Sequence, residues 1–305
     1  MIKVFGHTSP DTDSTGSPII WAWYLNEVRK TPAKAVLQGQ PNTEAAWMLE
    51  RWGLDQPEII SDVAEGEQCV IVDTNNPAEL PASINKAEVI EIIDHHLLAG
   101  GIATRLPINV TIRPLACTAT IMHDLIGEDL ARAPDAIKGA MLTCILSDTL
   151  EFRSPTTTAH DRAVAEELAA GLGLDIADYA AQMFAAKSDV SAFADDALLR
   201  MDSKEYELEG KRLRISVLET TAPQVLLARK QALMDAMPAV AAADGADEVL
   251  LFIIDILNEE ATLLLPNDVT RQIAGKSFGV AAQGDHVVLP GIMSRKKQII
   301  PALAL

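Results

Sequence analysis

Apolar positions along this chain follow two periods. Short runs of Val, Ile and Leu stop abruptly at polar residues, and longer stretches repeat apolar positions every three or four residues. The first short run, Ile2–Phe5, predicts a strand that runs into Gly6, His7 and a loop rich in Thr, Ser, Pro and Asp through Asp13. Residues 14–29 then read as an apolar-rich helix, 34–37 as a strand, and Thr43–Trp52 as a helix with Thr43 as its N-cap. The run 68–73 is again an apolar strand ending in a carboxylate, Asp73. A β-branched run over 87–93 stops at Asp94, His95 and His96. A strand over Asn109–Ile112 and helices over Thr118–Ile126, 136–150, 156–172 and Ile176–Lys187 complete the first half. Strands that alternate with helices predict an α/β domain with a parallel sheet.

The pattern changes near residue 188, where Ala-rich helix gives way to Ser, Asp and Ala. A linker is expected at about 189–194, between a domain over 1–188 and a smaller one over 195–305. In the second domain, 199–208 and 213–218 flank a Glu209-Gly210 turn and predict a hairpin. A helix is expected over 223–242 and a strand pair over 248–256 and 261–265. This domain reads as mixed α+β.

Composition narrows the function classes. The chain has 305 residues, 49% hydrophobic, with 43 acidic and 25 basic side chains and a net charge of -18. A field of that sign repels nucleic acid and anionic membranes, so a polyanionic substrate would need metal ions or a local Lys/Arg cluster to gather it. Neither nucleic acid nor membrane is expected as a partner. Cys69, Cys117 and Cys144 lie in apolar contexts without a paired spacing. They predict buried free thiols in a reducing cytosol, with metal ligation as the alternative. The opening apolar run is too short for a signal peptide and no segment approaches a membrane span, so a cytoplasmic location is expected.

Candidate chemistry gathers where strands end. His7, Asp11 and Asp13 follow the first strand, Asp73 ends another, and Asp94-His95-His96 ends a third. In a parallel sheet these ends lie along one edge, the edge where ligands bind. Asp148 sits among apolar residues, where an unpartnered carboxylate is costly to bury. Each feature alone has a plainer reading: an N-capping loop, a polar turn after a strand, a capped or salt-bridged aspartate. His123 and His160 lie on predicted helices without a carboxylate pattern, His286 follows Gly284-Asp285 in a late loop, and all three read as structural or surface residues. In the second half, Asp202-Ser203-Lys204-Glu205-Tyr206 and Ser294-Arg295-Lys296-Lys297-Gln298 stand out, the latter as a cationic exception in an acidic chain. From charge alone a solvated run near the C-terminus is the better reading.

The set His7-x3-Asp11-x-Asp13, Asp73, Asp94-His95-His96 and Asp148 resembles the DHH phosphoesterase superfamily. That superfamily includes RecJ-like exonucleases, nano-RNases, exopolyphosphatases and family II inorganic pyrophosphatases. The Ser-Arg-Lys-Lys-Gln segment followed by Ile299-Ile300-Pro301, and the Asp-x-Lys-x-aromatic segment, look like family II pyrophosphatase signatures, and no Gly-Gly-His nucleic-acid motif is found. The resemblance covers nearly the whole chain and implies a DHH domain followed by a DHHA2-type substrate-gripping domain. It implies a dinuclear metal site holding Mn²⁺ or Co²⁺, two per subunit, with Mg²⁺ entering with the substrate. His7, Asp11 and Asp73 would hold one ion, and Asp13, Asp73, His95 and Asp148 the other, with Asp73 bridging. Mixed imidazole and carboxylate ligands suit Mn²⁺ or Co²⁺ better than Mg²⁺.

The resemblance further implies that His96, Lys204, Arg295 and Lys296 contact the substrate and that Asp94 fixes a histidine tautomer. Hydrolysis of pyrophosphate by a metal-bridging hydroxide, in a site closed between two domains, and a homodimeric assembly are implied as well. One departure stands out: many family II enzymes carry Asp-His-Asn-Glu where this chain has Asp73-Thr74-Asn75-Asn76. That puts in doubt the contacts the missing His and Glu would make. The alternatives are an exopolyphosphatase or short-oligonucleotide phosphodiesterase on the same scaffold, and a metal-binding protein without catalysis.

Overall fold

Val4, Phe5, Val70, Ile71 and Val72 are all fully buried, so the strands that carry them need cover on both faces. They lie in β1 (Ile2–Phe5) and β4 (Gln68–Val72), neighbours in a six-stranded parallel sheet. Its other strands are β2 (Ala33–Leu37), β3 (Glu58–Ile59), β5 (Glu88–Asp94) and β6 (Asn109–Ile112), and the order is β3-β2-β1-β4-β5-β6. The chain steps outward from β1 to β3, then returns to β4 on the other side and steps outward to β6. The loops after β1 and β4 therefore diverge, and a crevice opens at the carboxyl ends of these two strands. The computed structural model describes residues 1–305, which divide into two units, Met1–Lys187 and Ser188–Leu305.

Six helices complete the first unit: α1 (Thr12–Glu27), α2 (Thr43–Trp52), α3 (Thr118–Ile126), α4 (Asp135–Asp148), α5 (Ala159–Leu172) and α6 (Ile176–Lys187). Their starts correct the sequence reading in three places. Asp11, expected in a loop with Asp13, is the N-cap of α1 and accepts from the Ser14 N–H at 3.0 Å. Thr12 and Asp13 are thus already helical. Asn42, not Thr43, caps α2 by accepting from the Ala45 N–H at 2.8 Å, which puts Glu44 at the second helical position. A reciprocal Thr158–Asp161 capping box delays α5 to Ala159.

The second unit holds β7 (Ser203–Leu208), β8 (Lys211–Thr220), β9 (Glu248–Asp255), β10 (Glu260–Leu264) and β11 (His286–Pro290) in the order β11-β10-β9-β8-β7. Only β8 and β9 pair in parallel. The expected turn carries Glu209 and Gly210 at φ 49° and 78°, the pair of positive values that a two-residue hairpin requires. Val249 to Ile254 are all buried because both faces are covered. Leu250, Phe252 and Ile254 pack with Leu213, Ile215 and Val217, while Leu251 and Ile253 pack with Leu218 and Leu233.

The helix expected over 223–242 is two: α8 (Pro223–Leu227) and α9 (Lys230–Asp244). Arg229 breaks it, with its guanidinium turned to Asp195 and to the carbonyls of Val190 and Phe193. Two further helices, α7 (Asp195–Met201) and α10 (Asp268–Phe278), and strand β11 were not expected from the pattern. No helix is long and apolar enough to cross a membrane.

Candidate functional site

Because β1 and β4 pair in register, with Phe5 opposite Ile71, the residues that follow them emerge side by side. His7 and Asp73 are those residues. Val72 pairs with Ile93, which brings the end of β5 and its His95 to the same edge. Asp73 turns into the left-handed region at φ 58°, a strained conformation that aspartate tolerates better than most side chains, and its N–H donates to the Ile93 carbonyl at 2.9 Å. Its buried carboxylate stands between two imidazoles. Oδ2 lies 3.5 Å from His7 Nε2 and Oδ1 lies 3.3 Å from His95 Nε2. Asp11 Oδ2 approaches His7 Nε2 from another side at 3.7 Å.

The far nitrogens of these two rings define their tautomers. His7 Nδ1 faces the Thr8 carbonyl at 2.8 Å, and His95 Nδ1 faces the Leu115 carbonyl at 3.1 Å. A carbonyl only accepts, so each Nδ1 carries the hydrogen and each Nε2 of a neutral ring turns its lone pair toward Asp73. Lone pairs directed at a carboxylate repel it unless a cation or a proton lies between.

Asp13 and Asp148 add charge to this edge from α1 and α4. Asp13 accepts from Ser17 Oγ at 2.6 Å and from the Thr118 N–H at 2.7 Å. Asp148 Oδ2 is buried with no hydrogen-bond partner. Burial, and then the charge of Asp13, push both Asp73 and Asp148 well above the usual carboxylate range. Burial would pull His7 down, but hydrogen bonds to Asp11 and Thr8 and the charges of Asp73 and Asp11 outweigh it and raise the imidazole to about 9.

Ligand atoms lie within 4.8 Å of one another in three sets: His7, Asp11 and Asp73; Asp73, His95 and His96; Asp13, Cys117 and Asp148. Asp73 belongs to two of them. An orphaned carboxylate oxygen, two outward lone pairs and crowded carboxylates form a donor set that fits divalent cations.

His96 is held differently. Its Nδ1 lies 2.9 Å from Asp94 Oδ1, and the ring is half exposed. The same Asp94 oxygen accepts from the backbone N–H groups of His95 at 2.8 Å and His96 at 3.0 Å. Burial would raise Asp94, but hydrogen bonds from His96 and Asn75 overcome it and hold the carboxyl below its ordinary value. Asp94 thus fixes the tautomer of His96, while a backbone carbonyl fixes that of His95.

In the second unit, Lys204, Arg295 and Lys296 line a cleft of about 450 Å³ together with Asp202, Tyr206 and Glu219. Lys204 comes from β7. Arg295 and Lys296 come from a π-helical turn, Arg295–Ile299, whose flanks are tied by side chains. Gln298 Oε1 accepts from the N–H groups of Met293 at 2.9 Å and Ser294 at 3.0 Å, and its amide donates to the Gly291 carbonyl at 2.6 Å. Ser and Gln at the ends of the motif thus shape the loop, and its middle supplies charge. Arg295 is engaged: Nη1 donates to the Asp202 carbonyl at 2.8 Å and Nη2 to its carboxylate at 2.7 Å.

The model of the DHH family, N-terminal domain, matches residues 1–149, and that of the DHHA2 domain matches residues 181–304. The chain is 38% identical to a probable manganese-dependent inorganic pyrophosphatase of Deinococcus radiodurans, over 99% of this chain and 98% of that one. It is 34% identical to a protein of the same description from Streptococcus mutans, over 99% and 97%. A crystal structure of a putative family II inorganic pyrophosphatase from Methanococcus jannaschii aligns with a TM-score of 0.61 and 30% identity, covering 99% of this chain and 98% of that one. The chain belongs to the manganese-dependent inorganic pyrophosphatase family. An exopolyphosphatase-related protein from Bacteroides fragilis, TM-score 0.52 and 13% identity over 98% and 89%, shares the fold.

Within this pyrophosphatase family member the departure at Thr74 and Asn76 has a local account, and Asn76 Oδ1 accepts from the Ala78 N–H at 3.1 Å. Thr74 is buried and donates to Glu79 Oε2 at 2.8 Å. Asn75 donates to Asp94 Oδ2 and to the Leu97 carbonyl, and accepts from the Ala99 N–H at 2.6 Å. Asn75 therefore staples the segment after His96 to Asp94, a role that sequence reading did not assign. The three cysteines are free and buried as expected, but Cys117 stands against Asp13 and Asp148, closer to the cluster than its apolar context suggested. His160 and His286 pair with Asp124 and Asp285, outside the cluster.

Proposed function

We propose that this protein hydrolyses inorganic pyrophosphate to two phosphates at the carboxylate–imidazole cluster of its first unit. The observation that carries this reading is Asp73, a buried carboxylate between the Nε2 atoms of His7 and His95 in a chain whose full-length relatives bear the pyrophosphatase description. His7, Asp11 and Asp73 hold one divalent cation; Asp13, Asp73, His95 and Asp148 hold the other. The ions are Mn²⁺ or Co²⁺, two per subunit, and Mg²⁺ accompanies the substrate. When bound, two such ions acidify a water and offset charge on the attacking and leaving oxygens.

The chain's own residues do the rest. Asp94 keeps a hydrogen on His96 Nδ1, so the opposite nitrogen is free to meet a phosphoryl oxygen and to carry a proton there. Lys204 and Lys296 supply point charges and Arg295 a planar fork for the two phosphoryl groups. Asp202 takes one N–H from each terminal nitrogen of Arg295, and the second N–H of each and the Nε–H remain for phosphoryl oxygens. In this reading, residues 1–188 form the metal-binding catalytic domain, 195–305 the substrate-gripping domain, and about 189–194 the linker. The protein works in the cytoplasm as a homodimer. Support for the dimer comes from β6, an edge strand beside exposed Val110, Leu97, Leu98 and Leu106, with Leu98 and Val110 lining one cleft.

The test is phosphate release from pyrophosphate, tripolyphosphate and a short oligonucleotide, with Mn²⁺ and with Mg²⁺. Pyrophosphate is expected to turn over fastest, with Mn²⁺ supporting the reaction. Rapid oligonucleotide turnover without pyrophosphate turnover, or no turnover of any substrate with two ions bound, would overturn the reading.

A further inference from the structure

Glu44 is a fully buried charged side chain of the first unit that the reaction does not use. The α2 helix places it in its first turn, with no exposure to solvent. Its Oε1 accepts from two hydroxyls, Thr12 Oγ1 at 2.6 Å and Ser147 Oγ. Thr12 lies between Asp11 and Asp13 at the start of α1, and Ser147 precedes Asp148 at the end of α4. One oxygen thus ties together the two helix ends that bring Asp13 and Asp148 to the same place. The second oxygen, Oε2, has no hydrogen bond and is 3.1 Å from Lys187 Nζ, so charge alone satisfies it. Lys187 is the last residue of α6 and also helps hold Asp11 below its ordinary carboxyl value.

A buried carboxylate is retained at a cost, and a helix end needs no anion at this point, since Asn42 already caps α2. A purely structural tie between two helices needs no hydroxyl on each residue next to a metal-facing aspartate. We propose that Glu44 is a positioning residue for the cation held by Asp13 and Asp148. Through Thr12 and Ser147 it sets the separation of those carboxylates, and the Lys187 ammonium stands 3.1 Å from its second oxygen. The inference rests on the metal-cluster reading above. It assigns Glu44 no contact with metal or substrate.

Titration of the metal-free protein with Mn²⁺, followed by calorimetry and by the loss of the free-Mn²⁺ paramagnetic resonance signal, decides it. Ser147→Ala and Thr12→Val should each weaken one of two Mn²⁺ equivalents about 10- to 100-fold, the range found for partners that orient ligands, and leave the other within about twofold. Ser147→Thr restores a hydroxyl and should restore the affinity, and the metal-free melting temperature should change little across the set. Unchanged affinity for both equivalents in Ser147→Ala and Thr12→Val overturns the proposal, as does a lowered melting temperature with both affinities kept. Binding of fewer than two Mn²⁺ by the unsubstituted protein overturns the cluster reading and this inference with it.

Discussion

Gly6 shows how little room separates backbone from ligand at the first strand end. A Cβ there would meet Ser14 Oγ at 1.9 Å. That hydroxyl is not idle: it accepts from the His7 N–H at 2.8 Å, so the side chain that would have to move also fixes the backbone of His7. Gly6→Ala should therefore destabilise the metal-free protein by about 1–3 kcal/mol, the usual range for an added methyl group in a packed site. It should also weaken binding at His7, Asp11 and Asp73. Urea unfolding measures the first and Mn²⁺ titration the second; normal stability with normal metal binding would contradict the placement. Lys296 offers the opposite case. It lines the cationic cleft of the second unit and belongs to none of the carboxylate–imidazole sets. Lys296→Ala should abolish most pyrophosphate hydrolysis while two Mn²⁺ per subunit remain by elemental analysis, and loss of metal in that variant would refute a substrate role.

At the scale of elements, the sequence was most informative where strands stop. A strand buried on both faces is a near-continuous apolar run, so its end is visible as the first polar residue, and in a parallel sheet all such ends share an edge. His7, Asp73 and His95 were legible for that reason. Asp13 was legible through its spacing from His7 and Asp11, and Asp148 as a carboxylate among apolar residues, although the helical position of Asp13 depended on Asp11 acting as a cap. What holds these side chains in place was not legible. Glu44 meets Ser147 across 103 positions of chain, and Asn75 meets Asp94 and Ala99 across a fold that only the β4–β5 pairing creates. Elements such as β3 and β11 were missed because two to five mostly exposed residues carry too little periodicity. The β6 strand carries a prediction of its own kind. Its outer edge is unpaired and Val110 is 52% exposed, beside Leu98 at 75%. Charges on such an edge block strand pairing between copies. Val110→Lys should convert a dimer into a monomer by light scattering, with the metal-free melting temperature little changed; an unaltered mass would place the dimer contact elsewhere.

At the scale of the whole molecule, the net charge of -18 and the raised carboxyls of Asp73 and Asp148 link stability to pH and to metal. A carboxyl raised above its ordinary value binds protons more tightly folded than unfolded. The stability it contributes is present at low pH and is lost as pH rises from about 4 through the folded value. His7, raised from 6.5 to about 9, acts in the same direction in a higher window, where the folded protein holds a proton that the unfolded chain has released. Asp11 and Asp94 are lowered and act in the opposite sense, but only as pH falls below the ordinary carboxyl range, outside that window. The metal-free protein should therefore lose stability steadily between pH 6.5 and 9. Divalent cations require the same groups unprotonated, so binding releases protons and strengthens as pH rises. The melting temperature with saturating Mn²⁺ should then pull away from the metal-free value as pH rises across this interval, and buffers of different ionisation heat should reveal proton release on binding. A gap between the two curves that stays constant from pH 6.5 to 9, with no protons released, would mean that the cation does not take the place of the proton on His7.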